Sequence, residues 1–201
     1  MFRPMLRLAA PAVAALLGLV LAATAQAANP QVELDTTAGK IRIELYPDAA
    51  PKTVEHFLSY VKSKQYDGTQ FHRVIPGFMI QGGGYTADFA EKPTPLPPIP
   101  HEGESSRKAG LSNAPGTVAM ARTNDPQSAN AQFFINVADN SRLNFRESTP
   151  QGYGYVVFGK VVAGMDVVNK IAAMPTGPAG RFSSDVPKTL VIINSASVVS
   201  P

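Results

Sequence analysis

Short apolar runs separated by turn residues, rather than long helical stripes, dominate the chain from Val32 to Val199. Val32 and Leu34 alternate with polar neighbours, and after Thr37-Ala38-Gly39 the residues Ile41, Ile43 and Leu45 alternate with Lys40, Arg42 and Glu44. A spacing of two puts successive side chains on opposite faces of an extended chain, so this pattern predicts a two-strand hairpin with one buried face. Further apolar runs over 71–75, 78–81, 117–121, 132–137, 155–162 and 189–199 read as strands, nearly all bounded by turn residues. The period changes twice. Behind Pro51, a residue suited to the first helical position, Val54, Phe57, Leu58 and Val61 recur at three- and four-residue steps and predict an amphipathic helix ending near Lys64. Met165, Val168, Ile171 and Ala172 predict a second. Many short strands with two helices predict a mainly β fold, a closed or nearly closed barrel whose ends are plugged by helices. The run Lys92 to Pro100, KPTPLPPIP, is too rich in proline to join a ladder and reads as a surface loop or short polyproline II segment.

The N-terminal residues carry an address. Arg3 and Arg7 precede an apolar run from Leu8 to Ala23, and Ala25-Gln26-Ala27 follows with small residues where a signal peptidase reads. The apolar run is shorter than the roughly 20 residues of a membrane span. The expectation is a signal peptide over 1–27, cleaved after Ala27, with an uncleaved N-terminal anchor as the alternative. Residues 28–201 then form one domain, expected in the periplasm and free of the membrane after cleavage. The 174 residues left are enough to bury a core without staples. Zero cysteines exclude a disulfide framework, thiol chemistry and a lipoprotein anchor, and suit an oxidising space. Arg3 and Arg7 are two of the 18 basic residues, leaving 16 against 15 acidic ones after cleavage. No basic block survives, so nothing points to nucleic acid.

Three stretches break the core pattern. In Phe71-His72-Arg73-Val74-Ile75-Pro76-Gly77-Phe78-Met79-Ile80-Gln81-Gly82-Gly83, polar His, Arg and Gln sit among large apolar residues and Pro-Gly interrupts the alternation. Gly116 to Arg122 leads through a polar loop to Ser128-Ala129-Asn130-Ala131-Gln132-Phe133-Phe134-Ile135-Asn136, and Tyr155-Val156-Val157-Phe158-Gly159-Lys160-Val161 is the third. Together the segment FHRVIPGFMIQGG, the S-x-x-x-Q-F-F-I segment and the V-V-F-G-K-V segment, in that order and spacing, resemble the cyclophilin family, and exported bacterial members most. The resemblance covers nearly all of residues 28–201. It implies a closed eight-stranded antiparallel barrel capped by two α-helices, and peptidyl-prolyl cis/trans isomerase activity in a groove on one outer face.

The chemistry of that reaction agrees with the residues present. Rotation about an X-Pro amide breaks C–N conjugation against a barrier of about 18–20 kcal/mol, and no proton, hydride or acyl group moves. No cofactor, metal or nucleophile is needed; what is needed is a site that prefers the twisted amide to either planar isomer. The resemblance assigns catalysis to Arg73, whose guanidinium would donate to the prolyl nitrogen as that nitrogen regains its lone pair. It assigns the proline pocket to Phe78, Met79, Phe134 and Leu143, with Ile75 as a further contact and Tyr155 at the rim. Gln81 and Gln132 would anchor the substrate backbone, and the main chain of Ala121 and Arg122 would pair with it. His72 is expected at the edge of the substrate site as a packing or orienting residue, because the reaction offers it no proton. His56 and His101 share no metal-ligand spacing with it.

Three positions depart from the best-known eukaryotic members: Arg122 stands where Asn is usual, Arg142 where a Trp contacts cyclosporin, and Tyr155 where a His sits. Weak cyclosporin binding is expected. The partners implied are proline-containing unfolded or extended polypeptides, met by a monomer. The rival reading is a module that holds extended segments without turning them over; Arg73, Phe78, Gln81 and Phe134 favour retained catalysis.

Overall fold

The structure is a computed structural model and describes residues 28–199. The expected signal peptide, residues 1–27, and its expected cleavage after Ala27 lie outside them. No helix among the described residues is long and apolar enough to cross a membrane.

The predicted hairpin forms as β1 (Gln31–Thr36) and β2 (Gly39–Leu45), whose buried residues alternate as the sequence requires, with Val32 opposite Ile43 and Leu34 opposite Ile41. Helix α1 (Pro51–Lys62) follows, with Pro51 in its first turn and Val54, Phe57 and Val61 on the buried face. Next come β3 (Arg73–Ile75), β4 (Met79–Gly82), α2 (Gly103–Lys108), β5 (Thr117–Met120), β6 (Phe133–Asn136), a 3-10 turn over Ser141–Leu143, β7 (Val157–Ala163) and α3 (Met165–Ala172). A hairpin of β8 (Thr176–Ala179) and β9 (Phe182–Pro187) precedes the last strand, β10 (Ile193–Val199).

Eight strands form one antiparallel sheet in the order β10-β1-β2-β7-β5-β6-β4-β3, as an open, curled sheet and not the closed barrel expected. β3 and β10 are its two edges. Between them the chain from Thr69 to Phe71 divides its backbone bonds: Gln70 donates to Tyr85 O (2.8 Å), Phe71 to Val191 O (2.9 Å), and Ile193 donates to Thr69 O (2.7 Å). These contacts amount to single bridges, Thr69 with Thr86 and Gln70 with Ile192, so β3 stays three residues long and no continuous ladder joins it to β10. Two further departures have local causes. α2, GESSRK, is six residues without apolar periodicity, and β8 and β9 carry Gly, Pro and Ser in place of alternation.

The interior is aromatic. Phe57 from α1 packs its ring 5.1 Å from Tyr66 and 5.1 Å from Phe158, and Phe133 stands edge-on to Tyr66 at 5.4 Å. All four are fully buried, and α3 adds Val168 and Ile171. The N-terminus of α1 has no cap from its own flank; Glu102 supplies one across the fold, accepting from Thr53 N (2.8 Å), Thr53 Oγ1 (2.7 Å) and Lys52 N (3.1 Å).

Candidate active site

Strand register places the site. Arg73, Gln81, Phe134, Ala119 and Val157 stand opposite one another in a row across β3, β4, β6, β5 and β7. The neighbouring row, Val74, Ile80, Ile135, Val118 and Gly159, faces the interior. Because side chains alternate along a strand, the first row is committed to the outer face of the sheet. There Met79, Ala119, Phe134 and Val157 form a small second cluster, with Ile75, Phe78, Leu143 and Tyr155 partly buried against it. The β3–β4 connection, Ile75-Pro76-Gly77-Phe78, closes with Phe78 N donating to Ile75 O (3.1 Å), and Gly77 takes φ 68° as the third residue of a type II turn requires. That turn holds Phe78 at the border of the cluster.

Above this floor opens a cleft of about 190 Å³, with Phe78, Met79, Phe134, Leu143 and Tyr155 on its apolar side and Arg73, Gln81, Ala121 and Arg122 on its polar side. A second cleft of about 260 Å³ adjoins it, sharing Gln81, Ala121 and Arg122 and adding Gln132. Gln81 Nε2 donates to Gln132 Oε1 (2.9 Å), and Arg73 Nη1 makes a long contact of 3.5 Å with Gln81 Oε1. On its other side Arg73 Nε lies 3.8 Å from Asp185 Oδ2 of β9.

The structure thus brings together Arg73, Phe78, Met79, Gln81, Ala121, Arg122, Phe134, Leu143 and Tyr155 on one cleft and Gln132 on its neighbour. Ile75 supports the floor without lining either. His72 is corrected: it is 3% exposed, lines neither cleft, and lies against Tyr85 (4.6 Å) and Phe182 of β9 (5.3 Å). Its Nδ1 has no partner among the described residues, and burial, with the charge of Arg73 adding to it, pushes its pKa down to about 4. A neutral ring used for packing is what remains.

Two contributors escaped the sequence. Asp185 belongs to a hairpin that carries no strand signal. Behind the cleft, Asn136 donates to Asn113 Oδ1 (3.1 Å) and Thr117 Oγ1 (3.0 Å), and Asn140 donates to Asn136 Oδ1 (2.7 Å) and to Phe78 O (2.8 Å). Asn113 Nδ2 donates to Leu143 O (3.1 Å). These buried amides tie the Phe78 and Leu143 walls together; an Asn in a sequence carries no sign of which it will become.

Residues 31–198 match the family described as cyclophilin type peptidyl-prolyl cis-trans isomerase/CLD. The chain is 56% identical over 168 residues to the peptidyl-prolyl cis-trans isomerase cyp18 of Streptomyces antibioticus, covering 84% of this chain and 98% of that protein. It is 51% identical over 167 residues to the peptidyl-prolyl cis-trans isomerase B of Escherichia coli K12, covering 83% and 98%. Among solved structures, the Cryptosporidium parvum cyclophilin type peptidyl-prolyl cis-trans isomerase superposes with a TM-score of 0.67 at 26% identity, covering 86% of this chain and 99% of that one. The same Cryptosporidium protein has been solved in the presence of the dipeptide ala-pro, with a TM-score of 0.66 over 85% and 99% of the two chains at 26% identity.

Proposed function

The chain belongs to the cyclophilin-type peptidyl-prolyl cis-trans isomerases, and from that premise we propose that it turns X-Pro bonds of exported polypeptides in the cleft above β4 and β6, with Arg73 as its catalytic residue. It is a peptidyl-prolyl cis-trans isomerase, and its substrates are proline-containing polypeptides. The observation that carries the mechanism is the register row: it stands the Arg73 guanidinium at the polar edge of a cleft whose floor is Met79 and Phe134.

A prolyl ring seated among Phe78, Met79, Phe134 and Leu143 loses water and freedom to turn, while the acyl side of the bond stays on the polar side of the cleft. As the amide twists, its nitrogen becomes pyramidal and basic. An Arg73 N–H then gains an acceptor that the planar ground state does not offer, so the interaction strengthens toward the transition state and adds little before it. Asp185 and Gln81 hold the guanidinium from two sides, which limits the reorganisation needed at that moment. Gln81, Gln132 and the main chain at Ala121 and Arg122 grip the flanks of the substrate.

Export rests on the sequence of residues 1–27: two arginines, an apolar run and Ala25-Gln26-Ala27. The place of action is then the periplasm, where the enzyme assists folding of exported chains. Recovery of periplasmic protein beginning at Ala28, by mass spectrometry, supports this; recovery of an intact Met1 form in the cytoplasm refutes export, and an intact form held in the membrane and facing the periplasm refutes cleavage alone.

The test of mechanism is the cis-to-trans rate of a short Ala-Pro peptide with residues 28–201 beside Arg73→Ala, circular dichroism showing both folded. A loss of about 10²–10³ in kcat/KM is expected, the scale of a donor removed from a developing charge. Full activity in the folded variant overturns the role of Arg73.

A further inference from the structure

Two further guanidiniums stand over aromatic walls of the same cleft. Arg122 Cζ stands 4.8 Å from the Tyr155 ring centroid and Arg142 Cζ 4.9 Å from that of Phe78. A guanidinium over a ring face is held by the ring's negative quadrupole and keeps its unpaired N–H donors for whatever enters beside the ring. Arg122 is fixed by backbone carbonyls, donating Nε to Gly154 O (2.9 Å) and Nη1 to Thr123 O (2.8 Å), which leaves Nη2 without an acceptor among the described residues. Arg142 is exposed and donates to nothing among them. Neither forms an ion pair there, whereas Arg42, Arg73 and Arg181 each have a carboxylate within 4 Å.

No carboxylate lies within 4 Å of either guanidinium among the described residues, and Asp185, beside the cleft, faces Arg73 instead. No acidic residue lines the cleft itself, and Glu91 of the adjoining cleft lies 3.7 Å from Arg181. Residues 28–201 are close to neutral overall, so the positive character comes from where arginines are placed and not from their number. Resting on the isomerase reading above, we propose that the cleft selects X-Pro segments carrying an Asp or Glu carboxylate within two residues of the proline, with Arg122 and Arg142 as specificity-determining residues. The carboxylate would take the free guanidinium edges through charge-assisted hydrogen bonds. Such contacts form in ground state and transition state alike, so the selectivity resides in KM.

The test uses residues 28–201 and short Ala-Pro peptides with Glu, Gln or Lys before or after the Ala-Pro unit. At low salt, kcat/KM for Glu should exceed that for Lys by about 10-fold in at least one placement, and 0.5 M NaCl should bring the ratio close to one. Arg142→Gln and Arg122→Gln should each shrink the ratio and the double variant abolish it, while Arg142→Lys should keep part of it. The ratio is taken within each protein, so a general loss of activity in a variant does not disturb it. Equal rates for Glu and Lys in both placements, with the Gln peptide accelerated, overturn the proposal and leave the isomerase reading intact. A ratio that persists in the double variant overturns it too. If no peptide is accelerated the isomerase reading fails, and equal Kd for Glu and Lys peptides in an NMR titration then overturns the charge selectivity separately.

Discussion

Phe133 and Phe134 are neighbours on β6 with opposite surroundings. The ring of Phe133 meets Phe57, Tyr66 and Phe71 at 5.6, 5.4 and 6.1 Å inside the curled sheet. That of Phe134 meets Tyr155 at 5.5 Å and otherwise floors an open cleft. Both are at least 96% buried, so burial does not tell them apart. The difference lies in what covers them: the inner face is closed by helices and its own strands, whereas the outer face leaves room for a ligand. A strand with a period of two serves a core and a site at once, and the molecule spends one face on stability and the other on binding.

The largest effect that could break this contrast is Phe133→Ala, expected to cost about 3–5 kcal/mol because it leaves a closed void among aromatic rings. Urea unfolding measures it, and a cost equal to that of Phe134→Ala would mean that the two faces share one core. Acid comes next, through His72, which lies beside Arg73 in sequence but is packed with Tyr85 and Phe182. An unfolded His takes its proton near pH 6.5 and buried His72 only near 4, so the unfolded state binds more protons between these values. Stability from this residue is full above about pH 6.5 and falls as pH drops toward 4, by about 3 kcal/mol at most. His72→Phe should flatten that slope in unfolding measured at both pH values; an unchanged slope would take His72 out of the packed interior.

Phe134→Ala should lower kcat/KM by roughly 10- to 100-fold, about 1.4–2.7 kcal/mol, with a smaller stability loss than Phe133→Ala because the space it leaves opens to water. Glu102→Gln weakens the cap on α1 and should cost about 1 kcal/mol of stability. Activity per folded molecule should not change, since Glu102, Lys52 and Thr53 line neither cleft. The smallest effect belongs to Asp185→Asn. Asp185 holds φ 66°, which Asn also tolerates, so the substitution removes charge and keeps the backbone. Half-exposed pairs contribute little, and a loss of about 2- to 5-fold in kcat/KM, with no change in unfolding midpoint, would mark Asp185 as a positioning residue for Arg73.

Much of the site was legible before any fold was known. The polar residues of FHRVIPGFMIQGG interrupt an apolar pattern, and the resemblance they carry named ten residues that the structure gathers on two adjoining clefts. His72 was misplaced because an interrupting polar residue looks the same whether it faces a ligand or is packed under a hairpin that appears a hundred residues later. Arg122 and Arg142 were read as departures from a family pattern; their position over Tyr155 and Phe78 became visible only with the rings in place.

By itself the sequence determined the strands β1 to β7 and β10, helices α1 and α3 and the faces of the first hairpin, while its resemblance to the cyclophilins named the cleft residues. These follow from period, turn chemistry and local motif, which act over a few residues. Tertiary structure alone decided that the sheet stays open at β3 and β10, that Glu102 caps a helix that begins at Pro51, that a hairpin without strand signal places Asp185 beside Arg73, and that three asparagines, Asn113, Asn136 and Asn140, brace the cleft. Each depends on partners far apart in the chain, whose meeting is set by the closure of the whole fold and is written in no single stretch of residues.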